Sequence, residues 1–117
     1  MSKAGFEDTG FVYVPDSCSQ GTECQVHVAL HGCSQSQTYL QRQFVENTGY
    51  LEWAGTNDII VMFPQTKPVP TLNPTGCWDF FGFSGEGTDY LTKEGVQTST
   101  IKKMIERLQS KDQLIIQ

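Results

Sequence analysis

The chain has 117 residues, of which 38% are hydrophobic and 18% charged, and its formal net charge is -5. This composition is typical of a folded globular protein, and the length favours one domain over residues 1–117. The acidic balance argues against nucleic acid as a partner, because phosphate binding needs a basic surface. No apolar run approaches the roughly 20 residues of a membrane span, so we expect no membrane partner.

The lead-in and the first two strands are short. Residues 1–10 read as a polar lead-in, without the apolar core of a signal peptide. Residues 11–14 are rich in β-forming side chains and are stopped by Pro15, which predicts a strand. Residues 25–30 alternate apolar and other side chains, which predicts a second strand with one face towards the core.

The middle of the chain changes from a helical to a strand pattern. Residues 38–56 have helical spacing, and Gly49 predicts a break near their centre. The near-continuous apolar run at residues 59–63 ends at Pro64 and is typical of a strand covered on both faces.

The last part of the chain combines a long connection with the clearest helix. Residues 65–92 are rich in Pro and Gly, and their several aromatic residues favour an ordered loop. Residues 94–109 predict an amphipathic helix, and residues 114–116 could begin another strand. The order of elements predicts an α/β fold, a small, mostly parallel sheet flanked by helices. A sheet of three or four strands would leave an unpaired edge, unless a missing segment or a second chain covers it.

Four cysteines, Cys18, Cys24, Cys33 and Cys77, make an even count that favours disulfides and an oxidising compartment. Cys18 and Cys24 flank a turn-like loop that can close locally, which leaves Cys33 with Cys77. The alternative is four reduced thiols in a cytosolic protein. Zinc is disfavoured because the spacings lack two short paired ligand motifs. We expect no metal and no cofactor.

The run His31-Gly32-Cys33 follows the second predicted strand directly. It has the form of the turn that supplies a backbone N–H to the oxyanion hole of α/β-hydrolases. The competing interpretation is a structural disulfide with no catalytic part. We assign His31 to ordering this loop, or to a satisfied buried histidine, in preference to a general base. No Gly-x-Ser-x-Gly occurs in the chain, so Ser34 reads as a loop residue.

An aromatic cluster surrounds Cys77 and contains Trp78, Phe80, Phe81 and Phe83. Such residues suit a wall that binds an apolar polymer or acyl chain. They equally suit a small core under a long loop, and we expect core packing for at least half of the rings. Asp79 and Asp89 are candidate triad acids, although each is more often a turn or cap residue.

Several ordered motifs together resemble polyhydroxybutyrate depolymerases and related feruloyl- or acetylxylan-esterase-like α/β-hydrolases. They are Leu30-His31-Gly32-Cys33-Ser34-Gln35, Phe44-Val45-Glu46-Asn47-Thr48-Gly49-Tyr50, Glu52-Trp53-Ala54, Ile59-Ile60-Val61, Phe63-Pro64-Gln65-Thr66, Asn73-Pro74 and Gly76-Cys77-Trp78-Asp79. The resemblance runs from about residue 9 to residue 108.

The resemblance implies that Cys33 gives an oxyanion-hole N–H and forms a disulfide with Cys77. It also implies that Trp78, Phe80 and Phe81 line the substrate cleft, although members of the family often have Trp where this chain has Phe80 or Phe81. The family's nucleophilic Ser and its triad Asp and His have no match here. The implied substrate is a polyester or short-chain ester, and the implied location is secreted or periplasmic.

Two arrangements account for the missing triad. Some members of the family are circularly permuted, and this chain would then be the C-terminal portion of such an enzyme. Alternatively, the order is unpermuted and residues 114–116 begin the nucleophile strand. The lead-in at residues 8–15 resembles the permuted members and favours the first arrangement.

Two functions remain open at this point. The chain is expected to be an esterase portion, inactive alone, that needs a triad-bearing segment from elsewhere or from a second chain. The alternative is a non-catalytic binding or structural module for polyester, glycan or a protein partner. An independent hydrolase that uses Cys33 or Ser34 with His31 is the least favoured interpretation.

Overall fold

The computed structural model of the protein describes residues 5–19, 23–85 and 87–109. The strands are β1 (Phe11–Tyr13), β2 (Gln25–Val28) and β3 (Ile59–Phe63). The α-helices are α1 (Asp16–Ser19), α2 (Gln37–Leu40), α3 (Gln43–Asn47), α4 (Tyr50–Asn57) and α5 (Val96–Gln109), and a 3₁₀ helix spans Asp89–Leu91. The strand predicted to begin at residues 114–116 lies outside the described residues.

The three strands form one sheet in the order β1-β3-β2. β2 runs parallel to β3 with Val26 opposite Ile60, whereas β1 runs antiparallel with Val12 opposite Met62. The predicted α/β class with a small sheet and flanking helices is confirmed, but the sheet is mixed instead of mostly parallel. Within the described residues, β1 and β2 are therefore both edge strands.

The segment before β1 explains its direction. Phe6 forms an antiparallel bridge with Thr66, and the Glu7 N–H donates to the Gln65 carbonyl over 2.9 Å. This segment therefore enters alongside the residues that follow β3 and delivers β1 antiparallel to it. Phe6 is only 2% exposed, so the interpretation of residues 1–10 as a polar lead-in is wrong at this residue.

The apolar run of β3 is buried because helices cover both faces of the sheet. Val61 and Phe63 face a cluster that includes Ala54 of α4. Ile60 and Met62 face a second cluster that includes Leu108 of α5. This alternation confirms the strand predicted at residues 59–63, and it places β3 at the centre of the fold.

The predicted helical region at residues 38–56 is divided into three short helices. The break predicted at Gly49 is correct, because this residue precedes α4 with a φ of 86°. A second break after α2 was not predicted, and there Gln41 has a φ of 55°. The helix predicted at residues 94–109 is α5, which begins two residues later at Val96.

Among the helices of the described segments, none is long and apolar enough to cross a bilayer.

Candidate functional site

The carboxyl ends of the parallel strands β2 and β3 lie at the same edge of the sheet. β2 leads to His31, and β3 leads to Gln65 and Thr66. The Gln65 side-chain oxygen accepts the Gln37 N–H over 2.7 Å, which joins this edge to the start of α2. Crevices outside the carboxyl ends of parallel strands are the usual ligand sites of open α/β sheets.

His31 is 2% exposed and both of its ring nitrogens have partners. The Thr66 N–H donates to Nε2 over 3.2 Å, which assigns the proton to Nδ1, and Nδ1 lies 2.8 Å from the Gly32 carbonyl. Burial lowers the pKa of His31 below its usual 6.5, and the bond to Gly32 opposes this shift. Neither ring nitrogen is therefore free to take a proton from Ser34.

The neutral form of His31 predicts that acid destabilises the fold. A histidine with a lowered pKa contributes its full stability above the unfolded value of about 6.5, and loses it as pH falls towards the folded pKa. Urea unfolding at about pH 7.5 and about pH 5 should show a smaller free energy of unfolding at the lower pH. His31→Gln keeps an acceptor but does not titrate, so it should weaken this dependence. An unchanged pH dependence in His31→Gln would contradict the prediction.

The turn after His31 uses all but one of its backbone donors. Gly32 N–H donates to the Gln35 side-chain oxygen over 2.6 Å, and Gln35 N–H to the Gly32 carbonyl over 3.2 Å. Ser34 has a φ of 59°, and its N–H donates to the Thr75 carbonyl over 2.8 Å. Among residues 5–19, 23–85 and 87–109, nothing accepts the N–H of the exposed Cys33. This N–H can therefore donate a hydrogen bond to a ligand.

A second loop holds this turn in place. Cys33 is bonded to Cys77, and Cys18 to Cys24, which confirms both predicted disulfides. The Asn73 side chain accepts the Cys77 N–H over 3.0 Å and donates to the Cys77 carbonyl over 2.8 Å. Asn73 is thus a structural partner of the disulfide, a contribution that the Asn-Pro motif alone did not identify.

The predicted wall residues have unequal exposure. Trp78 is half-buried, with its ring centroid 5.2 Å from that of His31, and its Nε1 donates to the His31 carbonyl over 2.9 Å. Phe80 and Phe81 are 66% and 49% exposed, with ring centroids 5.0 Å apart. Trp78 therefore packs against the turn, and the exposed aromatic pair, Phe80 and Phe81, faces solvent.

Asp79 is a turn residue. Its Oδ1 accepts the N–H groups of residues 81–83, and its Oδ2 accepts both the N–H and the hydroxyl of Ser84. Burial raises the pKa of Asp79, but the Ser84 groups, with the N–H groups of Gly82 and Phe81, outweigh it and hold the pKa below its usual value. An acid engaged in this way does not orient a catalytic histidine.

The other candidate acid, Asp89, also belongs to a turn. It is exposed and begins the 3₁₀ helix, where its carbonyl accepts the Thr92 N–H over 2.9 Å.

Among the side chains that the structure describes, no three His, Cys, Asp or Glu converge as metal ligands.

Comparison with known proteins gives a consistent result. The chain matches no protein-family profile. It is 41% identical to the polyhydroxybutyrate depolymerase of Talaromyces funiculosus, over 91% of this chain and 34% of that protein. It is 42% identical to the poly(3-hydroxybutyrate) depolymerase of Delftia acidovorans, over 94% of this chain and 22% of that protein. The chain therefore spans about a third of the fungal relative and about a fifth of the bacterial one.

Solved structures show the same relationship. The crystal structure of the depolymerase from Penicillium funiculosum matches with a TM-score of 0.73 and 36% identity, over 87% of this chain and 34% of that one. A serine-to-alanine variant of a polyhydroxybutyrate depolymerase, complexed with an R3HB trimer, matches with a TM-score of 0.74 and 36% identity, over 90% of this chain and 35% of that one. In sequence and in fold, the chain is similar to one part of the polyhydroxybutyrate depolymerases.

Proposed function

We propose that these residues form the oxyanion-hole turn and the aromatic cleft wall of a serine esterase that acts on poly(3-hydroxybutyrate) or similar short-chain esters. The observation that carries the proposal is the N–H of Cys33, which has no acceptor among the described residues, in a turn whose neighbouring donors are all engaged. An oxyanion hole needs such a donor fixed in place before the reaction, because a preorganised dipole costs nothing to reorient.

The nucleophile of this esterase must come from outside these residues. Cys33 is bonded to Cys77, and His31, the base considered for Ser34, has both ring nitrogens occupied. The sequence also lacks Gly-x-Ser-x-Gly. We therefore propose that a triad-bearing segment, of the same polypeptide or of a second chain, completes the site. The resemblance of residues 8–15 to permuted members favours a C-terminal position for this chain.

The proposed substrate rests on the exposed aromatic pair and on the relatives. Phe80 and Phe81 present apolar area to solvent, as an apolar polymer requires, and they follow Trp78, which packs against the turn. One structural neighbour is complexed with an R3HB trimer, which supports a polyester of hydroxyacids as ligand. Two disulfides favour an oxidising compartment, and we propose a secreted or periplasmic protein.

Hydrolysis of p-nitrophenyl butyrate tests the proposal. The purified chain should show no turnover above that of Ser34→Ala. A hybrid in which this chain replaces the matching third of the Talaromyces funiculosus depolymerase should hydrolyse the ester, because the remainder of that enzyme then supplies the missing groups. Cooperative thermal unfolding of the hybrid is the control that it is folded.

Each failure has a separate meaning. A folded hybrid that hydrolyses no short-chain ester would contradict the esterase proposal. If the chain alone nevertheless adsorbed to polyester, the non-catalytic binding module would be the better description. Turnover by the chain alone that Ser34→Ala abolishes would show that Ser34 is a nucleophile.

A further inference from the structure

We infer that Asp79 is a positioning residue that holds Phe80 and Phe81 in the orientation in which they contact a polyester chain. This inference rests on the proposed function, since it concerns the wall of the same cleft. In this role Asp79 supports substrate binding by positioning the aromatic pair. A triad acid would instead orient a catalytic histidine, and an ordinary surface carboxylate would do neither.

The contacts of the Asp79 carboxylate define the conformation of the turn. Oδ1 accepts three successive N–H groups, from Phe81 over 3.1 Å, Gly82 over 2.6 Å and Phe83 over 3.1 Å. Oδ2 accepts the Ser84 N–H over 2.9 Å and the Ser84 hydroxyl over 2.5 Å. Five donors therefore converge on one side chain, and the backbone that carries the aromatic pair wraps around it.

The N-terminal side of the turn is also attached to the rest of the fold at two points. The Asp79 N–H donates to the Gln97 side-chain oxygen on α5 over 2.8 Å. The preceding residue, Trp78, donates to the His31 carbonyl over 2.9 Å. The turn that Asp79 organises is thus fixed to α5 through Asp79 itself, and to the sheet edge that carries the Cys33 turn through its neighbour Trp78.

This construction explains how two large apolar rings stay exposed. Phe81 contacts Phe80 at 5.0 Å and the half-buried Phe83 at 5.3 Å between ring centroids, but the pair itself remains outside the core. A free loop would lose conformational entropy on binding a polymer, and holding it in advance removes much of that cost. The carboxylate supplies this restraint through backbone groups, so the rings remain free to contact a ligand.

Adsorption of the purified chain to poly(3-hydroxybutyrate) granules tests the inference. Asp79→Asn keeps one carbonyl oxygen but replaces the acceptor for Ser84 with a donor, and should weaken adsorption about 5- to 20-fold. Ser84→Ala removes one donor only and should give a smaller loss. Asp89→Asn makes the same charge change on an exposed carboxylate and should leave adsorption unchanged.

A double-mutant cycle separates positioning from general stability. Phe80→Ala/Phe81→Ala should weaken adsorption, and adding Asp79→Asn to it should cause no further loss, because Asp79 acts through these rings. Hydrogen exchange should become faster at the amides of Phe81, Gly82, Phe83 and Ser84 in Asp79→Asn, while the amides of β3 remain protected.

The outcomes distinguish the inference from the proposed function. If the unmodified chain adsorbs and Asp79→Asn adsorbs equally well, the inference is wrong and the proposed substrate stands. Additive losses in the cycle would also overturn it, since they would show that Asp79 acts independently of the pair. Failure of the unmodified chain to adsorb would remove the polyester substrate together with the role inferred for Asp79.

Discussion

Replacing Cys33 by proline should lower kcat of the hybrid esterase by about 100- to 1,000-fold relative to serine at the same position. Proline has no backbone N–H, so it removes the donor at position 33, which has no acceptor among the described residues. Serine keeps that donor. Each substitution is combined with Cys77→Ser, so that neither variant has the disulfide and the comparison isolates the N–H.

The measurement is kcat and KM for p-nitrophenyl butyrate in both hybrids. An oxyanion donor acts in the transition state, so kcat should fall while KM changes little. Equal thermal unfolding of the two variants is the control that proline has not distorted the turn. Distortion is not expected, because position 33 follows Gly32, and glycine is the residue type that best tolerates a following proline. Similar kcat values in two folded hybrids would show that this N–H is not in the oxyanion hole.

Removing the two disulfides should have unequal effects on stability. The bond between Cys33 and Cys77 spans 44 residues, and the bond between Cys18 and Cys24 spans 6. A crosslink restricts the unfolded chain more when it closes a longer loop, so Cys33→Ser/Cys77→Ser should lower the free energy of unfolding by about 4 kcal/mol, and Cys18→Ser/Cys24→Ser by about 2 kcal/mol.

Urea unfolding of the chain and of both double variants measures these differences. The shorter bond is the matched control, because the same chemical change is made at a disulfide outside the Cys33 turn. A larger loss from Cys18→Ser/Cys24→Ser would contradict the loop-length argument and point to native contacts around Cys18, which is fully buried against β3 and α5.

Patterns that depend on neighbouring residues could be predicted from the sequence. The apolar run at β3, the helical spacing of α5 and the break at Gly49 follow from local side-chain chemistry, and all three are present in the structure. The second break, at Gln41, carries no glycine or proline and so had no local signal.

The candidate site was only partly predictable, because its properties depend on contacts between distant segments. The motifs identified Cys33, His31 and Trp78. They did not show that Thr66 engages the His31 ring, 35 residues away in the chain, or that Trp78 bonds to the His31 carbonyl from 47 residues away. The sequence already favoured an ordering or buried role for His31 over a general base, and the first of these contacts shows which segment the ring engages.

By itself, the sequence predicted the α/β class and the central strand, because both depend on residue type and spacing; it favoured the observed pairing of cysteines, and its ordered motifs gave the resemblance to the depolymerases. Only the tertiary structure decided three further features: the antiparallel direction of β1, the lack of an acceptor for the Cys33 N–H within the described part of the chain, and the carboxylate contacts of Asp79. The physical reason is that a hydrogen bond needs a donor and an acceptor within bonding distance and in the right orientation. The fold alone brings the donor and the acceptor together where Phe6 pairs with Thr66 and where the Ser34 N–H donates to the Thr75 carbonyl.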